Sequence, residues 1–297
     1  MNRKTIKTKS ILIIFLLCVL FIILYKMSYI SQFRNKFALS SELVILDGEE
    51  ATIISLSDGK RKTVPFSEVG EYIDETEFIT NAGKIYYKES DTFRELLSTE
   101  FEVEQRPIVL GDTIYFMAEE PNDSSFFPDN YLWKYQNGNI EKAYSRPLVN
   151  ANAILSYDSK ILFVENDDNT GRILCLDTIS GEIKEVCSGD SICWKEDGKS
   201  FFYAPETGYL AVFDLDSLSS TFIGENIDIF ASPVYNEEEN VLLVFCHNEY
   251  SSAYPAITTA FYYLDSNEYV YFSKYLKNMN AIRTNDCVSD LALVYWE

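Results

Sequence analysis

A unit of about forty residues recurs along this chain, and each copy is too short to bury a core by itself. Its first half is a turn followed by an apolar strand. Copies are Ala82-Gly83-Lys84-Ile85-Tyr86-Tyr87, Gly111-Asp112-Thr113-Ile114-Tyr115-Phe116 and Tyr157-Asp158-Ser159-Lys160-Ile161-Leu162-Phe163. Further copies start at Glu196, Glu238 and Val288. The second half is a hairpin around a turn such as Ser57-Asp58-Gly59, Asn137-Gly138, Ser180-Gly181, Asp216-Ser217 or Ser266-Asn267. These dipeptides supply the positive φ angles of tight turns. Gly138 to Gly181 is 43 residues, Lys160 to Lys199 is 39, Lys199 to Asn240 is 41, and Gly59 to Gly138 is 79, two repeats.

No stretch past residue 41 shows a sustained apolar period of 3.6, so the pattern is all-β. With 21 Tyr and 20 Phe against 12 Gly and 8 Pro, the chain favours pleated, half-buried surfaces. Four strands per forty-residue unit define a β-propeller. Five continuous blades fall at 66–104, 105–146, 147–188, 189–226 and 227–276. A sixth forms from the two ends: the hairpin Leu43 to Val64 has no first-half strand, and Leu291 to Tyr295 has no hairpin. Pairing them closes the ring and leaves no open sheet edge. Six four-stranded blades are expected. The 66–104 unit is the weakest copy, so five or seven stay open.

Trp194-Lys195-Glu196-Asp197-Gly198-Lys199-Ser200-Phe201-Phe202-Tyr203 resembles the repeat of TolB-type propellers, with Lys-Glu where that pattern has Ser-Pro. The other copies keep only the turn and strand, as WD40-like repeats also do. The resemblance covers residues 43–297 as architecture. It implies a six-bladed ring that binds proteins or peptides, and no particular activity.

Before the repeats lies SILIIFLLCVLFIILY, Ser10 to Tyr25, without a charge. Continued to Ile30 past Lys26, it is long enough to cross a bilayer. Arg3, Lys4, Lys7 and Lys9 precede it and hold that end in the cytoplasm. The organisation read here is a basic tail 1–9, a transmembrane anchor 10–30, a short stalk 31–42 and the propeller 43–297, exported beyond the membrane. A cleaved signal peptide is the rival. Its one small-x-small site, Ala38-Leu39-Ser40, lies far beyond the apolar run, and Cys18 sits mid-run without the small residue that precedes a lipidated cysteine.

Residues 1–40 carry seven basic and no acidic side chains. The remainder holds 18 basic against 46 acidic, a formal −28. That field repels nucleic acid and suits basic protein or peptide faces. His247 is the only histidine, and no G-x-S-x-G elbow exists. Neither a cofactor nor a metal set is read. Asp167-Asp168-Asn169-Thr170-Gly171 resembles the start of a calcium loop, but the following strand leaves out the closing Glu, and a polar hairpin is the simpler reading. The reading is a non-enzymatic binding or scaffolding module. The alternative is an exported hydrolase that cleaves glycans with two carboxylates in the central channel. Partner contact is expected at Phe126 and Phe127 in one long loop and at Tyr250 and Tyr254 in another. A disulfide between Cys175 and Cys187, flanking the Gly181 turn, is expected if the domain is exported.

Overall fold

The computed structural model describes residues 3–73, 78–97, 101, 103, 105–120, 129–148, 154–165, 171–195, 198–205, 208–227, 233–247, 257–280 and 294–296. Side chains are described for all of these except 3–15, 157, 208, 225–227, 246–247, 257 and 280. Six antiparallel sheets follow one another along the chain as the blades of a ring. Blade I holds β1 (Glu42–Asp47), β2 (Glu50–Ser55) and β3 (Arg61–Pro65). Blade II holds β4 (Phe78–Asn81), β5 (Lys84–Glu89) and β6 (Thr92–Leu97), three strands among the described residues. Blade III is β7 (Ile108–Leu110), β8 (Thr113–Glu119), β9 (Asn130–Gln136) and β10 (Asn139–Lys142). Blade IV is β11 (Leu155–Tyr157), β12 (Lys160–Glu165), β13 (Arg172–Asp177) and β14 (Ile183–Ser188). Blade V is β15 (Asp190–Trp194), β16 (Ser200–Ala204), β17 (Gly208–Asp214) and β18 (Ser219–Ile227). Blade VI is β19 (Val234–Asn236), β20 (Val241–His247), β21 (Ile257–Tyr263) and β22 (Glu268–Tyr271). The first strands of neighbouring blades touch, β11 with β15, β15 with β19, and β19 with β23 (Val294–Trp296), so they surround the axis.

Closure is as the repeats require. β23 pairs with β1, setting Leu43 against Trp296, Val44 against Tyr295 and Ile45 against Val294. It takes in blade I the place that β7 takes in blade III. The turns between third and fourth strands share one device. Asp58 Oδ1 accepts from the Lys60 amide, Asp177 Oδ1 from Ile179 and Ser180, and Asp214 Oδ1 from Ser217. Each aspartate holds its own turn, which is the physical content of the recurring acid in the repeat. Asn137 and Gly138, with φ of 52° and 81°, make the primed turn that Asn-Gly favours.

Helix α1 (Arg3–Phe37) is 35 residues long. Its Leu16–Phe37 segment is long and apolar enough to cross a membrane, a property that a signal sequence shares. The stalk expected over 31–42 takes a different form. The helix runs on to Phe37, and this end of it and residues 38–41 dock on the ring. Phe33 and Leu39 are buried in one cluster with Leu43, Ile54, Phe261 and Val294, at the junction of blades VI and I. Glu239 Oε1 accepts from the amides of Ser40 and Ser41, and Trp296 Nε1 donates to Ser41 Oγ. A second departure is α2 (Phe272–Asn280), a helix that starts inside the unit expected to form the last blade, 227–276. Phe272, Tyr275, Leu276 and Met279 are buried, and their spacing is the helical 3.6 period that the all-β reading passed over.

Tyr275 fastens α2 to the segment after α1 and to blade I. Its hydroxyl accepts from the Leu39 amide at 2.9 Å and donates to the Leu56 carbonyl at 2.8 Å, inside the core. Tyr275→Phe leaves both backbone groups unpaired, and the expected cost is about 2 kcal/mol. A fall in melting temperature of about 5 °C, read by calorimetry, checks it; an unchanged melting temperature would show that neither bond contributes.

Candidate functional site

Strand direction gives the ring two faces. The first-to-second and third-to-fourth turns share one, here the turn face; the second-to-third connections and the links between blades start and end on the other, the open face, although α2 in the link from blade VI to blade I folds back against Leu39 and Leu56. Residue 42 begins a second-position strand, so α1 joins the ring on the turn face. The Ser40 and Ser41 contacts with Glu239, in the β19–β20 turn, agree. Phe126 and Phe127 belong to the connection from β8 to β9, and Tyr250 and Tyr254 to that from β20 to β21. All four lie outside the described residues, as do Asp167 to Thr170. The strands that they join end on the open face.

Two groups that repeat matching did not single out stand where first strands begin, at the open-face end of the channel. Arg106 immediately precedes Pro107 and β7 of blade III, yet its guanidinium lies 4.0 Å from the ring centre of Tyr295 in blade I. It also donates to the Val294 carbonyl. Blade II separates these blades on the ring, so the side chain reaches over the inner rim. Its charge is felt as far as Cys193 in blade V. Asp190 opens β15. Gly189 before it has φ of 143°, Ser191 after it has φ of 56°, and the β15–β16 register shifts between Asp190 and Cys193. A Cβ on Gly189 would meet the Ala204 carbonyl oxygen at 2.6 Å, so only glycine fits there. Bulges of this kind re-aim a side chain. Burial pushes the Asp190 carboxyl above its ordinary range, and a hydrogen bond with Ser191 works against the shift.

Glu165 ends β12 on the same face and is buried, only 1% exposed. Its Oε1 accepts from Tyr144 Oη at 2.6 Å and from Arg146 Nη1 at 3.1 Å; its Oε2 accepts from Arg172 Nη2. Burial pushes its carboxyl up, but those three donors outweigh it and hold it below the usual range. Burial, then the Glu165 carboxylate, raise the Tyr144 hydroxyl to about 12. This carboxylate joins blades III and IV. Among the described residues, no group of three or more His, Cys, Asp or Glu could hold a metal.

The Cys175–Cys187 disulfide is corrected: both are free thiols. The β13–β14 pairing sets Leu176 against Ile183 and Cys175 against Lys184, which centres the hairpin between Ile179 and Ser180 rather than on Gly181, and Cys187 stands opposite Ile173. The cysteines therefore fall on different rungs. Burial raises the Cys175 thiol and pushes Cys187 and Cys193 up to about 12. At pH 8 these three are expected to resist alkylation in the folded chain and to react within minutes in denaturant, as mass spectrometry would show. Rapid native alkylation of Cys187 would contradict its burial.

No protein-family profile and no curated protein matches the chain in sequence. Solved structures do resemble it. A TolB structure from Agrobacterium tumefaciens superposes with a TM-score of 0.51 at 9% identity, covering 79% of this chain and 89% of that one. TolB from Acinetobacter baumannii gives 0.47 at 12%, covering 82% and 71%. A puromycin hydrolase gives 0.49 at 8%, covering 77% and 43%. At these identities the likeness speaks to the fold alone. The chain is thus a six-bladed β-propeller with an apolar N-terminal helix. Within that class its architecture is TolB-like.

Proposed function

We propose that this chain is a membrane-anchored propeller on the extracytoplasmic side, and that it binds a protein or peptide partner on its open face without catalysis. The observation that carries the reading is the docking of α1 on the turn face. Cleavage near Ala38-Leu39-Ser40 would strip Phe33 and Phe37, and with them the Phe37 carbonyl that accepts from Tyr263, away from the blade VI–I core. An uncleaved anchor keeps them. The helix then occupies the turn face and leaves the open face, with its two long connections, Arg106 and Asp190, turned to the outside. The acidic domain suits a partner with basic faces, and Arg106 at the channel mouth suits an acidic group on the segment that enters it.

A photo-crosslinking residue at Asp91 or Asp129, both exposed at open-face connections, is expected to give discrete adducts in intact cells. The same residue at Asn137, on the turn face, is expected to give none. Equal adducts from both faces, or none from either, would contradict the reading. The second reading, a hydrolase, draws on the raised carboxyl of Asp190 alone. Release of sugars from cell-wall glycans by the purified chain, abolished in Asp190→Asn, would establish it instead.

A further inference from the structure

We propose that α2 and the foot of α1 form a second membrane contact, a basic patch that binds anionic phospholipid headgroups beside the anchor. This rests on the reading of α1 as a membrane anchor.

Residues 16–29 of α1 are exposed throughout, and burial begins only at Ile30 and Phe33. The helix therefore leaves the ring where its hydrocarbon-spanning stretch ends. Just past the end of α1, Leu39 meets Tyr275 of α2, while Arg34, a turn earlier in α1, donates from Nε to the Asn278 carbonyl at 3.2 Å and from Nη2 to that of Met279. The two helices are thus antiparallel, and α2 runs toward the bilayer. Its carbonyl end is capped by a cation from the anchor, a favourable charge for that end of the helix dipole. From Ile30 to Arg34 is four residues, about 6 Å of helix. The headgroup layer on each side is about 5–8 Å deep. The C-terminal turn of α2 accordingly lies at headgroup level.

The exposed face of α2 presents Lys274 and Lys277, three residues apart and so adjacent on the helix. The segment Phe272–Asn280 has no acidic residue, and neither lysine joins an ion pair among the described residues. Lys36, by contrast, is taken up by Glu268. On a domain of formal charge −28 these uncompensated cations stand where an anionic surface would otherwise push the ring away. Phosphate diesters at the outer edge of the bilayer are the complementary ligand, and the lysine stems span the remaining distance.

The full chain is reconstituted into bilayers of phosphatidylcholine alone or with a minority of phosphatidylglycerol. Amine modification of each lysine is followed by mass spectrometry. Lys274 and Lys277 are expected to react about fivefold more slowly in the anionic bilayer, the effect of one lysine held at such a surface. Lys184, on β14 in a blade distant from the anchor, is expected to react equally in both. The difference should vanish in ~1 M salt. A chain that stays in the bilayer yet shows equal rates for Lys274 and Lys277 overturns this proposal and leaves the anchor standing. A chain released from the bilayer by alkaline carbonate overturns the anchor and this proposal together.

Discussion

A chain that ends at residue 293, without Val294–Glu297, is expected not to form a stable ring. Among the described residues, β23 is the strand that the C-terminal part of the chain contributes to the sheet of blade I. Removing it uncovers Leu43 and Val44, both at 0% exposure, and deletes the buried Val294 and Tyr295. Tyr295 to nothing costs as much as an aromatic-to-alanine change, about 3–5 kcal/mol, and the lost valine and ladder bonds add to it. The sum approaches the whole stability of an ordinary domain, about 5–15 kcal/mol. The freed edge of β1 also becomes a template for aggregation. Loss of near-ultraviolet circular dichroism and of a cooperative melt would be the result; an unaltered melt would mean that the ring closes by other contacts. Tyr295→Ala gives the graded version, with an expected loss of about 4 kcal/mol.

Glu165→Gln is expected to cost about 3 kcal/mol, because it strips the charge from a buried cluster and leaves Arg146 and Arg172 facing a neutral amide. The same carboxylate sets a pH limit. Its pKa is lowered in the folded chain, so its contribution is fully present above the unfolded value of about 4.5 and is lost as pH falls through the lower folded value. Denaturant melts of the wild type should therefore weaken below about pH 4.5, and those of Glu165→Gln should weaken less over that window. Parallel pH dependence of the two proteins would show that Glu165 is not the group responsible.

The repeats made the ring legible because each blade must solve the same problem. An apolar second strand such as Lys160–Glu165 and a turn held by its own aspartate recur with a period of about forty residues, which together with strand patterning marks a propeller blade. The terminal strand was legible for the same reason, since Val294–Trp296 is an unmatched first strand. What the pattern hid was whatever breaks it. Phe272, Tyr275, Leu276 and Met279 spell a helix, yet it continues directly from β22, and its first turns fall inside the 227–276 unit. Residues 31–37 read as a spacer because Arg34 and Lys36 are polar, whereas Phe33 and Phe37 on the other side of the same turns are what the core takes up. Arg106 and Asp190 carry no motif. Their position at the start of first strands was available from the repeat alignment, but the bulge at Gly189–Ser191 depends on local backbone angles that periodicity does not encode. Symmetry about Gly181 would set Cys175 against Cys187, but the hairpin centres between Ile179 and Ser180, a position that the Ser-Gly turn signal does not encode.

The placement of the ring beyond the membrane is the claim on which the open-face partner and the headgroup contact both depend. Ser57→Cys puts a thiol in an exposed turn between β2 and β3. A membrane-impermeant maleimide added to intact cells is expected to label this variant above the wild-type background. Labelling that appears only after lysis would put the ring in the cytoplasm and contradict the account.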